Sequence, residues 1–103
     1  MKTAIIIGAS TGIGRETALA LSDKYNSISI TSFRHKEELL SLRDELTAKG
    51  CVCYCETGDA GDMEFMDKFI QNTIEHLGSD IDLLVNNAGI SYVGLINDMT
   101  ARD

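Results

Sequence analysis

The apolar run Ala4-Ile5-Ile6-Ile7 opens directly into Gly8-Ala9-Ser10-Thr11-Gly12-Ile13-Gly14, and the good helix former Arg15-Glu16-Thr17-Ala18-Leu19-Ala20-Leu21 follows at once. A β-branched strand that turns through glycines into a helix gathers several backbone N–H groups, and the positive end of a helix dipole, around one point. That geometry suits a pyrophosphate. Gly8 lets the chain leave the strand sharply, Gly12 has no Cβ to block an approaching phosphate, and Gly14 lets the helix pack closely on the strand it came from. Ser10, Thr11 and Ile13 share the same bend. The spacing is G-x-x-x-G-x-G, not G-x-G-x-x-G, and no Gly-Lys-Ser/Thr follows, so the loop is not a P-loop. Read alone, it fits equally a tight strand-to-helix turn that binds nothing.

The rest of the chain alternates strand and helix patterns. Strands are expected over about Thr3–Ile7, Ser27–Ser32, Cys51–Glu56 and Ile81–Asn86, with helices over about Gly12–Lys24, Lys36–Lys49 and Asp62–Leu77. Leu39, Leu42 and Leu46 share one face of the second helix, which Gly50 closes as a C-cap. Met66, Phe69, Ile70, Thr73, Ile74 and Leu77 share a face of the third, and Met63 and Phe65 read as core as well. Glu37 and Glu38 complement the dipole at the start of the second helix, and His76 does so at the end of the third. Repeated βα units imply an α/β fold, a Rossmann-type doubly wound parallel sheet in strand order 3-2-1-4. Repeats, linkers and low-complexity tracts are absent, as is proline.

Length allows one domain, and a hydrophobic content of 44% supports a core. The net charge of −7 argues against a nucleic-acid or anionic-membrane partner, since both need a basic face. No apolar stretch approaches a membrane span, and the start of the chain lacks a signal-peptide layout, so the expected compartment is the cytoplasm. Cys51, Cys53 and Cys55 alternate along one strand and so face one way. They are too far apart for easy bridging and lack the looped spacing and fourth ligand of a metal site. Buried thiols in a reducing compartment are the simpler reading.

A second pattern lies far downstream: Leu83-Leu84-Val85-Asn86-Asn87-Ala88-Gly89, an apolar strand ending in polar and small residues. Together the two patterns resemble the short-chain dehydrogenase/reductase family, whose first loop reads T-G-x-x-x-G-I-G and whose fourth strand ends in N-N-A-G. The resemblance covers the whole chain, and within the family it points to the 3-oxoacyl-carrier-protein reductase branch. It implies an oxidoreductase that moves a hydride between NADP(H) and a small-molecule carbonyl or secondary alcohol, usually as a homotetramer or homodimer. The alternative is a non-catalytic dinucleotide-binding module or redox sensor. A weaker one is another nucleotide ligand, such as a flavin or a sugar nucleotide.

An acid at the end of the second strand would bind the ribose 2′-OH and repel a 2′-phosphate. Here the segment reads Ser29-Ile30-Thr31-Ser32-Phe33-Arg34-His35-Lys36. It contains no acid, and Arg34 stands where NADP-preferring members often carry an arginine able to grip a phosphate in paired hydrogen bonds. The alternative is an exposed arginine at a strand end. Thr11 departs from the basic residue such members often have before the middle glycine, so NAD remains the second choice. Ile7 stands where the family usually has Thr.

Thr57-Gly58-Asp59-Ala60 resembles the family's Asp-Val turn, which implies that Asp59 meets the adenine amino group and the Ala60 backbone meets the ring. A plain Gly-Asp turn fits the same residues. Asn86 is similar to the family Asn beside the adenosine ribose, and Ala88 with Gly89 allow close backbone approach, while Asn87 ties the fourth strand to its neighbours. The family's catalytic Ser, Tyr and Lys have no match. Tyr25, Tyr54 and Tyr92 are followed four residues on by Ser29, Gly58 and Ile96, so no catalytic residue is assigned.

The fourth strand would leave a bare outer edge, and Thr100-Ala101-Arg102-Asp103 reads as the opening of a helix. Both point to the N-terminal part of a longer Rossmann domain, cut before its catalytic half.

Overall fold

The computed structural model describes residues 2–10 and 12–87. Among them β1 (Thr3–Ile7), α1 (Gly12–Leu21), β2 (Ser27–Ser32), α2 (Lys36–Ala48), β3 (Val52–Thr57), α3 (Met63–Leu77) and β4 (Ile81–Asn86) follow in strict alternation. The strands pair in parallel in the order β3-β2-β1-β4, as expected from the repeated βα units. The chain steps outward from β1 to β3 and then returns past β1 to β4. The strand order reverses between β1 and β4, and α1, which follows β1, lies on the opposite face of the sheet from α3, which precedes β4. Such a reversal is where a crevice opens at the carboxyl ends of the strands.

The pleat assigns the core. Ile6, Ile28 and Ile30 point to one face and pack with Ala18 of α1 and Leu39, Leu42 and Leu46 of α2. Ile5 and Ile7 point to the other face and pack with Met66, Phe69 and Ile70 of α3. Truncating any one of the fully buried aliphatic side chains costs about 2–5 kcal/mol. Strand β2 reads Ser-Ile-Ser-Ile-Thr-Ser, so its α3 side is hydroxyl-bearing. Those hydroxyls are partnered: Thr31 Oγ1 donates to the Glu56 carbonyl at 2.6 Å, and Ser29 Oγ lies 2.7 Å from Thr73 Oγ1. Thr73 spends its single proton on the Phe69 carbonyl at 2.8 Å, so Ser29 is the donor of that pair.

Element ends differ from the sequence expectation where local hydrogen bonds compete. Helix α1 stops at Leu21, three residues before the expected Lys24. Ser22 Oγ donates to the Leu19 carbonyl, and Lys24 and Tyr25 both donate to the carbonyl of Leu21, which tightens the last turn until the chain leaves it. Helix α2 ends one residue early because Gly50 N–H bonds the Thr47 carbonyl and Cys51 N–H bonds that of Leu46, a Schellman closure. Cys51 is thereby drawn out of β3, which runs one residue later than expected. Asp62 is the N-cap of α3 and not its first residue, and its carboxylate accepts from the N–H groups of Glu64 and Phe65.

Two apolar side chains expected in the core are exposed, Met63 (54%) and Ile74 (37%). They sit three turns apart on one flank of α3, beside the stripe formed by Met66, Phe69, Ile70 and Thr73. Strand β4 is apolar at consecutive positions yet half-buried, because it is the edge of the sheet among the described residues. Its register with β1 shifts between Thr3 and Ala4, so Asp82 is an extra residue, and Asp82 Oδ2 accepts the Thr3 N–H at 2.9 Å. The expected helix opening at Thr100–Asp103 lies outside the described residues, as do the site candidates Thr11, Ala88 and Gly89.

The three cysteines face the α2 side, as their alternation requires, and all are free thiols. Burial, reinforced by the neighbouring Cys55 and Cys51, pushes the Cys53 thiol up to about 12. In the unfolded chain a thiol ionises near ~8.5, so this residue's contribution to stability is full below that pH and lost between there and about 12. Native protein at pH 8 is expected to leave Cys53 unalkylated by iodoacetamide while the unfolded protein is labelled there. Equal labelling by peptide mass spectrometry in both states would contradict the burial argument.

Candidate functional site

The bend after β1 is held by one acceptor. The Thr31 carbonyl, at the end of β2, takes the N–H of Gly8 at 2.8 Å and that of Ala9 at 3.0 Å. Two of the loop's amides are therefore used internally and are not among those free for a ligand. Among the described residues the first-turn amides of α1, those of Gly12, Ile13 and Gly14, lack acceptors within the helix.

Gly8 and Gly12 have φ of 81° and 60°. A Cβ on Gly12 would meet nothing within 4 Å, so the protein itself asks for glycine there only through its left-handed backbone. A Cβ on Gly14 would lie 1.9 Å from the Gly8 carbonyl oxygen and 2.9 Å from its carbon. The close approach that Gly14 permits is thus between α1 and the bend at Gly8, rather than the body of β1.

An open cleft of about 510 Å³ lies over these strand ends. The first loop contributes Gly8, Ser10, Ile13 and Gly14, the segment after β2 contributes Ser32, Phe33, Arg34 and His35, and Asn87 closes the far side beyond β4. None of these carries a negative charge. The first turn of α1 has no acid either, whereas α2 has Glu37 and Glu38 and α3 has Glu64 in theirs. The latter two helices complement their own dipoles, and α1 leaves its positive end to whatever occupies the cleft.

Five of the sequence candidates, Gly8, Ser10, Ile13, Gly14 and Arg34, come together around this cleft. Gly12 adjoins it at the start of α1 without lining it. Asp59, Ala60 and Asn86 do not line it. Asp59 Oδ1 accepts the Gly61 N–H at 2.8 Å in a local turn, Ala60 is buried against Ile5, Ile7, Met66 and Phe69, and Asn86 pairs with Ile7 in the sheet. Asn87 N–H donates to the Ile7 carbonyl at 2.8 Å, the tie between strands expected of it, while the residue also borders the cleft.

Sequence reasoning did not select Ser32, Phe33, His35 or Asn87. Their signal was adjacency to Arg34 and to Asn86. His35 adopts φ 62° and ψ 49°, a left-handed conformation unusual for a residue with a Cβ, and opens α2 without a side-chain cap. His76 stacks on Tyr54 at 4.5 Å, and its Nδ1 donates to the Asn72 carbonyl at 2.7 Å, so it has a structural partner on the far side of the sheet.

A glycine bend, an uncompensated helix N-terminus and a basic, acid-free cleft at the reversal of strand order form one unit. Over residues 2–103 the sequence matches the family described as short chain dehydrogenase. The chain belongs to that family. It is 31% identical over 102 residues to a 3-oxoacyl-acyl-carrier-protein reductase of Staphylococcus aureus, covering 99% of this chain and 41% of that protein. The chain therefore spans about two-fifths of the length of that relative.

Among solved structures of short-chain dehydrogenases and related proteins, it resembles a blue fluorescent protein from a metagenomic library, solved in complex with NADPH. The TM-score is 0.80 at 33% identity, over 86% of this chain and 36% of that one. It also resembles carveol dehydrogenase of Mycobacterium avium, solved in complex with NAD, with a TM-score of 0.79 at 26% identity over the same shares. No helix among the described residues is long and apolar enough to cross a membrane.

Alanine normally favours a helix over glycine by about 1 kcal/mol. At Gly14 the clash with the Gly8 carbonyl outweighs that gain, and Gly14→Ala is expected to lose about 1–3 kcal/mol, the usual range for overpacking. Denaturant unfolding measures it, and a variant as stable as wild type would show that α1 does not press on the bend.

Proposed function

We propose that this short-chain dehydrogenase chain is the coenzyme-holding part of an oxidoreductase that transfers a hydride between NADP(H) and a small-molecule carbonyl or secondary alcohol. The observation that carries the reading is the acid-free cleft in which Arg34 stands beside the glycine bend. The bound dinucleotide would supply the hydride. The residues that fit it are the first-turn amides of α1 for the pyrophosphate, with Gly12 leaving open space beside them, and Arg34 for a 2′-phosphate. Ser10, Thr11, Ile13 and Gly8 complete the bend.

Asp59, Ala60 and Asn86 are assigned an adenosine-side role at the same end of the sheet, with Ala88 and Gly89 following Asn87. Asp59 would offer its second carboxylate oxygen, since the first is engaged by Gly61. NAD is the second reading, favoured by Thr11, which brings no positive charge to the bend. The acyl-carrier-protein reductase similarity supports a 3-oxoacyl substrate. The proton-transfer groups are assigned to sequence beyond this chain, which covers 41% of that relative. A cytoplasmic setting fits the free thiols, and a homodimer or homotetramer fits the family.

Gly12→Val in the full-length protein is expected to abolish NADPH binding, because a branched side chain would fill the open space and resist the left-handed backbone. Retained affinity in a fluorescence titration would reduce the bend to a structural turn. Arg34→Asp is expected to weaken NADPH relative to NADH by about 10- to 100-fold, the worth of one or two charge-assisted hydrogen bonds. An unchanged ratio of the two dissociation constants would remove Arg34 from coenzyme choice.

A further inference from the structure

Beside Arg34 the cleft holds a second feature that the coenzyme reading does not use. Phe33 is 58% exposed, an apolar ring left in water at the cleft wall. The Arg34 guanidinium carbon lies over that ring, 5.2 Å from its centroid. Among the described residues Arg34 has no ion pair, although acids stand close by in sequence. Glu38 is drawn to His35 instead, at 3.7 Å. The main chain is pinned on both sides: Ser32 Oγ donates to the Arg34 carbonyl at 2.6 Å, and the His35 carbonyl accepts the Leu39 N–H at 3.0 Å. Among the described residues the long Arg34 side chain has no such anchor apart from the ring. An arginine that must be immobilised on binding loses rotamer freedom, and a side chain already resting in place loses less.

We propose that Phe33 is a positioning residue that sets the preference for a phosphorylated over an unphosphorylated adenosine ribose, by holding the Arg34 guanidinium at the cleft mouth through a cation–π contact. The proposal rests on the reading of Arg34 as the 2′-phosphate group. A planar, delocalised guanidinium can lie flat on a ring and still present its edge N–H donors to a phosphate, so the two contacts do not compete. A mere apolar neighbour would not have this property, which separates an aromatic from an aliphatic residue at the position.

The test is a set of dissociation constants for NADPH and NADH, by coenzyme fluorescence on the full-length protein, for wild type, Phe33→Leu, Phe33→Trp, Arg34→Ala and the Phe33→Leu/Arg34→Ala pair. Phe33→Leu is expected to weaken NADPH ~2- to 5-fold, the scale of an exposed cation–π contact, with NADH unchanged. Phe33→Trp is expected to keep the wild-type ratio, and Phe33→Leu is expected to add nothing once Arg34 is alanine. Unchanged NADH affinity also reports that each variant is folded. Equal weakening of both coenzymes, or additive losses in the double variant, would overturn the proposal by showing that the ring acts on its own. If Arg34→Ala leaves the ratio untouched, the phosphate reading itself fails and this proposal with it. If Arg34→Ala shifts the ratio and Phe33→Leu does not, only the role of Phe33 is lost.

Discussion

Thr31 is the point at which three strands are fastened together. Its carbonyl accepts the Gly8 and Ala9 amides that begin the bend after β1, and its hydroxyl donates to the Glu56 carbonyl near the end of β3. One residue thus sets the height at which β1, β2 and β3 finish, and the cleft is what lies above that level. The bend cannot drift from β2 without breaking two backbone hydrogen bonds in a buried place, where unpaired amides are costly. From there Gly14 lets the helix seat against the Gly8 carbonyl, which aims the first turn of α1 over the strand ends.

Charge is distributed to the same end. A chain with a net charge of −7 keeps acids out of this one cleft and places Arg34 and His35 in its wall. Helices α2 and α3 carry acids in their first turns and α1 does not, so two of the three dipoles are complemented from within. At the opposite face of the sheet the polar side chains serve packing instead: Ser29 and Thr73 satisfy each other beneath α3.

Hydrophobic period made the architecture legible, since Ile5 and Ile7 alternate with Ile6 and the leucines of α2 recur at helical spacing. The glycine pattern located the bend, and the lack of an acid after β2 located Arg34. What could not be read were contacts that composition does not encode. The shift of β3 by one residue depends on Cys51 closing α2, the exposure of Met63 and Ile74 depends on how α3 is rolled on the sheet, and the left-handed His35 breaks the ordinary preference of its residue type. The turn at Asp59 was recognisable, yet its carboxylate proved to be engaged with Gly61. Phe33 was visible as a residue but not as a platform, because a ring-to-guanidinium contact is a matter of rotamer.

The extra residue at Asp82 acts at a distance. By inserting one position at the start of β4, it makes Asn86 rather than Val85 level with Ile7 at the finish. Side chains along a strand point alternately up and down, so an unkinked β4 would turn Asn86, its last residue, to the other face of the sheet. An exposed carboxylate bound to the Thr3 amide at the amino end of the sheet thereby helps to set which residue of β4 stands level with the last residue of β1.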